Sequence, residues 1–263
     1  RSPFAVVLVL LFPVIACAQS AASRFASVAA TGVAQSNAWS VTQNPAGLAF
    51  LRSAQLAVNY ENPFAIENLG VKSASAALPV NRGTFGAFAQ SQSFDSYHRF
   101  QSGLAYGRSF GDDLAFGLTV NYFQTSITGY GNASNISASI GVQYHLNEEF
   151  AIGLLAENLL QNKQAGHGDL QPKRVAAALR YTATAQVELH AEIERNNYTP
   201  LTGRFALSYR PAEKFTLRGG LDLKPFSQFA AFGVEWKKIA FNIACTSHQA
   251  LGITPSIGLG YAF

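Results

Sequence analysis

Long apolar runs, charge, cysteine and methionine are what this chain has least of. After its first twenty residues no stretch approaches the roughly 18 to 20 consecutive apolar residues that a membrane-spanning helix needs, so helical spans are excluded. Charged residues make up only 13% of the chain, about half of the ~25% usual in soluble domains, so the surface is not an ordinary water-facing one. The formal charge is +4, yet the Lys and Arg are scattered along the chain with no basic run, which excludes a nucleic-acid-binding patch. Methionine is absent, and the translation start is expected before Arg1.

The two cysteines are Cys17 and Cys245. Phe4 to Ala16 form an apolar run behind a positive charge and ahead of Ala16-Cys17-Ala18-Gln19, a small-residue cleavage pattern, so residues 1–18 are read as a secretory signal peptide. A second reading takes Val14-Ile15-Ala16-Cys17 as a loose lipoprotein box with Cys17 lipidated. Cleavage after Ala18 leaves Cys245 alone and no internal disulfide.

What the chain does have is alternation. In Ser256-Ile257-Gly258-Leu259-Gly260-Tyr261-Ala262-Phe263 the large apolar side chains take odd positions and only Ser, Gly and Ala take even ones. That is a strand with one greasy face and one small or polar face. A terminal strand carrying Tyr261 and ending on Phe263 resembles the assembly signal of bacterial outer-membrane barrels.

The pattern repeats in fourteen candidate strands at about 54–61, 70–80, 83–94, 97–110, 113–127, 134–146, 149–160, 173–182, 186–195, 202–210, 215–223, 228–236, 239–247 and 253–263. Their length suits tilted transmembrane strands, and an even count suits a closed antiparallel barrel. Connections after even-numbered strands are tight, as at Gly111-Asp112-Asp113 and Trp236-Lys237-Lys238. Most of those after odd-numbered strands are read as longer and rich in Asn, Gly and Pro, as at 128–133, 161–172 and 196–201. This sorting places the short turns and both termini in the periplasm and the longer loops outside. Leu114, Phe116, Leu118, Val120 and Tyr122 are assigned to lipid, and Ala115, Gly117, Thr119 and Asn121 to the lumen. The expected class is an all-β, 14-stranded antiparallel transmembrane barrel over residues 53–263, located in the bacterial outer membrane with lipid as its surroundings.

Ahead of the first strand stands Ser40-Val41-Thr42-Gln43-Asn44-Pro45-Ala46-Gly47-Leu48-Ala49-Phe50. This stretch resembles the outer-membrane long-chain fatty-acid transporter (FadL) superfamily and its short PorV/PorQ-type relatives of type IX secretion. The likeness implies that residues 19–52 fold back as an N-terminal hatch or plug segment, with Asn44, Pro45, Ala46 and Gly47 as the hatch motif. The fatty-acid transporters have long, partly helical outer loops for substrate capture, whereas the longest loop here, 162–172, is short and polar. On that ground the leading expectation is a PorV/PorQ-type accessory or scaffold in a larger outer-membrane complex, with the barrel assembly machinery as its partner during biogenesis. The alternative is a passive channel for small hydrophobic molecules.

No chemistry is expected, neither catalytic residues nor metal nor cofactor. The five histidines lack a second His or Cys at ligand spacing, and in Ser247-His248-Gln249 strand neighbours point to opposite faces. Parity sends a set of charges to the lumen: Arg174 and Arg180, then Glu188, His190, Glu192 and Glu194, then Arg204 and Arg210, then Arg218, Asp222 and Glu235. Hairpins centred on Thr184 and Thr199 would face Arg174 with Glu194, Arg180 with Glu188, Glu194 with Arg204 and Glu188 with Arg210. The expected lumen charge cluster is therefore Arg174, Arg180, Glu188, Glu194, Arg204 and Arg210, acting to crosslink the wall rather than to filter ions.

Overall fold

The computed structural model describes residues 32–161 and 171–263. The expected signal peptide, Cys17, residues 19–31 of the segment ahead of the first strand, and His167 lie outside the described residues.

Alternation of large apolar with small or polar residues produces β1 (Gln55–Glu61), β2 (Val71–Val80), β3 (Gly83–Phe94), β4 (Tyr97–Phe110), β5 (Leu114–Ile127), β6 (Gly131–His145) and β7 (Phe150–Gln161). It continues through β8 (Arg174–Thr184), β9 (Val187–Asn196), β10 (Thr202–Ala212), β11 (Phe215–Leu223), β12 (Phe226–Trp236), β13 (Ile239–His248) and β14 (Gly252–Ala262). Each strand pairs antiparallel with its sequence neighbours, and β1 pairs with β14 from Gln55↔Ala262 to Glu61↔Ser256. The sheet is thus a closed barrel of fourteen strands with no free edge.

The expected contrast in connection size holds only in part. β6 begins at Gly131, not near 134, and the link from β5 is the turn Thr128–Tyr130. Gly129 and Gly131 adopt φ of 85° and 95°, angles that glycine reaches without steric cost, which lets the chain reverse sooner. At the same end β3–β4 is joined by Asp95 and Ser96 alone, and β11–β12 by Lys224 and Pro225. The long connections there are 62–70, 162–173 and 197–201.

The two faces of the sheet differ as the pleat requires. On β5, Phe116, Leu118 and Val120 are exposed while Ala115, Thr119 and Asn121 are buried. Phe241, Ile243, Leu259 and Tyr261 are also exposed, as is Cys245, while Gly258 is buried. Leu104 keeps 71% of its surface open. An apolar belt on this scale is the reverse of a water-soluble exterior. Towards the short-turn end the belt becomes aromatic. There Phe85 and Tyr106, Phe110 and Phe116, Phe150 and Tyr181, Phe215 and Phe232, and Tyr261 and Phe263 meet in pairs. Lys237 lies over the Trp236 ring.

Candidate functional site in the barrel lumen

Residues 32–52 run along the buried face of the wall. Ser40–Gln43 make one helical turn, after which Asn44 is extended and Pro45–Phe50 form a 3-10 helix. The motif explains the local geometry. Asn44 Oδ1 accepts the Ala46 N–H at 3.1 Å as a cap, and Pro45 occupies the first helical position, where its missing donor costs nothing. Asn44 Nδ2 donates to the Val33 carbonyl at 2.6 Å and to the Val142 carbonyl of β6 at 3.1 Å. One side chain therefore ties the segment to itself and to the wall.

The wall offers a seat made of missing side chains. Gly107, Gly117 and Gly141 are cross-strand partners on β4, β5 and β6. A Cβ on Gly117 would strike the backbone of Pro45 and Ala46, and one on Gly141 would strike Asn44 Oδ1. Around this row the polar wall residues meet the segment's backbone. Thr119 Oγ1 donates to the Val41 carbonyl at 3.2 Å, Gln143 Nε2 to the Ala34 carbonyl at 3.4 Å, and Ser75 Oγ to the Ala38 carbonyl. Ala38 N–H donates to Gln55 Oε1 at 3.0 Å.

Apolar contacts complete the packing. Val41, Leu48 and Leu51 cluster with Ala77, Phe88 and Ala105, and Val33 and Ala34 cluster with Leu155, Ala176 and Ala178. Phe50 stacks on His145 with ring centroids 4.0 Å apart. Leu48 and Val33 are fully buried, each stabilising the seat by about 1.5 to 3 kcal/mol. The seat lies a few residues from the short turns, since Gly107 precedes the end of β4 and Gly117 follows the start of β5 by three residues each. Composition marked the inward face as small, but the row of glycines was legible only once cross-strand register was known.

The charges of the expected cluster stand on β8 to β10, and their pairing differs from expectation by one pleat repeat. Thr184 Oγ1 accepts the N–H of Gln186 and of Val187, which centres the β8–β9 reversal one residue later than expected. Asn196 Oδ1 accepts the N–H of Tyr198 and of Thr199, which centres the next reversal one residue earlier. Moving a centre by one residue moves every pair by two, so the faces stay as read while the partners change. Arg174 faces Asn196, Ala178 faces Glu192, Arg180 faces His190, and Glu192 faces Arg204.

The carboxylate lying between two guanidiniums is consequently Glu192, not Glu188 or Glu194. Its Oε1 is 3.6 Å from Arg174 Nη1 and 3.3 Å from Arg204 Nη1. Arg174 also binds Glu157 Oε2 at 2.6 Å and Glu194 Oε2 at 3.0 Å. Arg204 pairs with Asp222, which accepts from Ser227 Oγ at 3.0 Å. The chain of contacts joins six consecutive strands, β7 to β12. Glu192 Oε2 accepts the Val33 N–H at 3.5 Å, so this network touches the inserted segment. Glu157 and Glu192 were not among the expected cluster residues. Glu192 was read to the right face and given no partner, and a bulge at Asn158 disturbs the simple parity of β7.

Of the six expected cluster residues, Arg180, Glu188 and Arg210 do not pair as drawn. Glu188 lies 3.6 Å from His190 Nε2, while Arg180 Nε is buried without a hydrogen-bond partner and Arg210 is exposed. Tyr261 and Phe263 are exposed at the terminus, with the Phe263 N–H donated to the Ala54 carbonyl at 2.9 Å. Among the described residues no group of His, Cys, Asp and Glu is arranged to hold a metal ion.

The fold defines the class: a closed fourteen-stranded antiparallel barrel with an N-terminal segment packed inside the wall. No family model and no curated protein matches the sequence. Solved structures do match. The Ralstonia pickettii toluene transporter TbuX is 12% identical with a TM-score of 0.71, covering 91% of this chain and 98% of that one. The Pseudomonas putida toluene transporter TodX is 11% identical with a TM-score of 0.65 over 88% and 95%. A Pseudomonas aeruginosa FadL homologue is 13% identical with a TM-score of 0.64 over 91% and 97%. At such identities the likeness is one of fold.

Proposed function

We propose that this chain is a non-enzymatic outer-membrane channel for small, largely apolar molecules, with residues 32–52 as the hatch that closes its short-turn end. The observation that carries the proposal is the seat itself. A scaffold barrel needs only a filled interior, whereas here a discrete segment rests on a glycine row and on directed hydrogen bonds to the wall. The structural neighbours support it: they include two toluene transporters and a monoaromatic hydrocarbon channel.

The accessory role expected from the PorV/PorQ likeness, and with it a place in type IX secretion, has no counterpart among those neighbours, so the channel reading replaces it. The membrane setting rests on closure, which leaves no unpaired edge to meet lipid, and on the apolar belt with its aromatic end. In that setting the short turns and both ends of the barrel lie in the periplasm, and Tyr261 and Phe263 serve the assembly machinery.

Toluene partitions freely into plain lipid, so the test requires an intact lipopolysaccharide leaflet. Radiolabelled toluene at micromolar concentration is given to cells with and without the protein. The proposal predicts a several-fold faster initial uptake with the protein. Equal rates at verified surface expression would overturn it.

A further inference from the structure

The end of the lumen opposite the inserted segment contains a buried carboxylate, Glu61, whose Oε2 has no partner among the described residues. Glu61 closes β1 on the lumen face and is only 6% exposed, and among the described residues its Oε2 has no hydrogen-bond donor and no ion pair reaches it. A desolvated, uncompensated carboxylate is among the most expensive groups a protein can carry. Arg174 and Arg204, in the same half of the lumen, are engaged by their own carboxylates.

The groups around Glu61 share one chemical character. Ser256 is its cross-strand partner on β14, and Ser256 Oγ is buried without a partner. Ser73 Oγ on β2 and Asn62 Oδ1, next in the chain, are in the same condition. Glu61 Oε2, Ser256 Oγ, Ser73 Oγ and Asn62 Oδ1 are all oxygens and one belongs to a carboxyl group, while Asn59, the cross-strand partner of Ser73, sets an amide beside them. The arrangement calls for a donor with several N–H groups and positive charge. Facing side chains of the outer lumen add to the bias, with Glu61, Glu157, Glu192, Glu194 and Asp222 set against Arg99, Arg174 and Arg204 among the described residues.

A strained loop overlies the site. Phe64 and Ala65 hold φ of 58° and 52°, a left-handed conformation unusual for residues with a Cβ and one that concentrates at ligand clamps. The Phe64 N–H is anchored on Thr254 Oγ1 at 2.9 Å, two residues from Ser256 on the same inward face of β14. The Phe64 ring meets His248 edge-on with centroids 6.0 Å apart, which sets aromatic surface over the same mouth.

We infer that Glu61, Ser256 and Asn62, beneath the Phe64 loop, form a binding site for the protonated amino group of a small organic ammonium ion with an apolar tail. The carboxylate supplies the charge, the serine and amide oxygens take further N–H donors, and the aromatic loop covers the tail. Binding here is independent of whether the barrel conducts.

The probes are hexylammonium and 1-hexanol, titrated calorimetrically into the full chain in zwitterionic detergent with a micelle blank subtracted. Wild type is expected to bind hexylammonium at least tenfold tighter than hexanol, and Glu61→Gln to abolish that preference while leaving hexanol binding unchanged. If Glu61→Gln fails to refold, Ser256→Val, which keeps the charge but fills the site, reads the same quantity and is also expected to erase the preference. Equal affinities for amine and alcohol in wild type, or a preference that survives in the folded variant, would overturn the site.

Discussion

Leu118 and Thr119 are chain neighbours with opposite surroundings. Leu118 is exposed in the apolar belt, while Thr119 is 2% exposed and donates to the Val41 carbonyl under the inserted segment. Arginine at the two positions should therefore fail in different ways. In the proposed membrane setting Leu118→Arg puts a charge into lipid and is expected to cost about 2 to 4 kcal/mol near the bilayer midplane, read by urea unfolding of the vesicle-refolded barrel. Thr119→Arg is expected to leave the barrel transition close to wild type and to expel the segment, read as faster proteolysis of residues 32–52. Equal losses of barrel stability in both variants would contradict the assignment of faces. The periodicity made this division legible, because a pleat has only two sides. It could not show what occupies the inner side, since nothing local at Gly107, Gly117 or Gly141 says that a backbone from another part of the chain lies against them.

At the scale of elements, register decides which charges act together. The hairpin ends at Thr184 and Asn196 choose reversals one residue away from those expected, and these side-chain caps form only when the turn folds. Parity survives such a slip and pairing does not, which is why the lumen charges were legible as a set while Glu192 was missed as their junction. Glu192→Gln removes the charge shared by Arg174 and Arg204 and weakens the acceptor of the Val33 N–H. Both guanidiniums keep other carboxylates, so the loss is expected to be about 1 to 3 kcal/mol rather than that of a fully broken buried pair. Glu188→Gln, which among the described residues lies within 4 Å of the His190 ring and of no guanidinium, is expected to change the same urea midpoint far less. If Glu188→Gln proved the more damaging substitution, the network centred on Glu192 would be wrong. Glu61 escaped notice for a related reason: one acidic residue at a strand end is ordinary, and it becomes unusual only when closure of β1 on β14 buries it beside Ser256.

For the whole molecule, closure turns fourteen ordinary amphipathic strands into a wall with an apolar outside and a polar inside, and the segment 32–52 fills the short-turn end of that inside. On the proposed channel function, passage through the lumen is expected to require the segment to leave its seat. Val41 Cγ2 lies 2.5 Å from where a Cβ on Gly86 would fall, so the two Cβ positions are no more than about 4 Å apart, close enough for a disulfide. Val41→Cys with Gly86→Cys, in a Cys245→Ala background, should lock the segment to β3 when oxidised and free it when reduced. Toluene uptake by cells carrying this protein is predicted to fall to the protein-free rate on oxidation and to recover on reduction, while uptake unaffected by a verified crosslink would contradict passage past the segment.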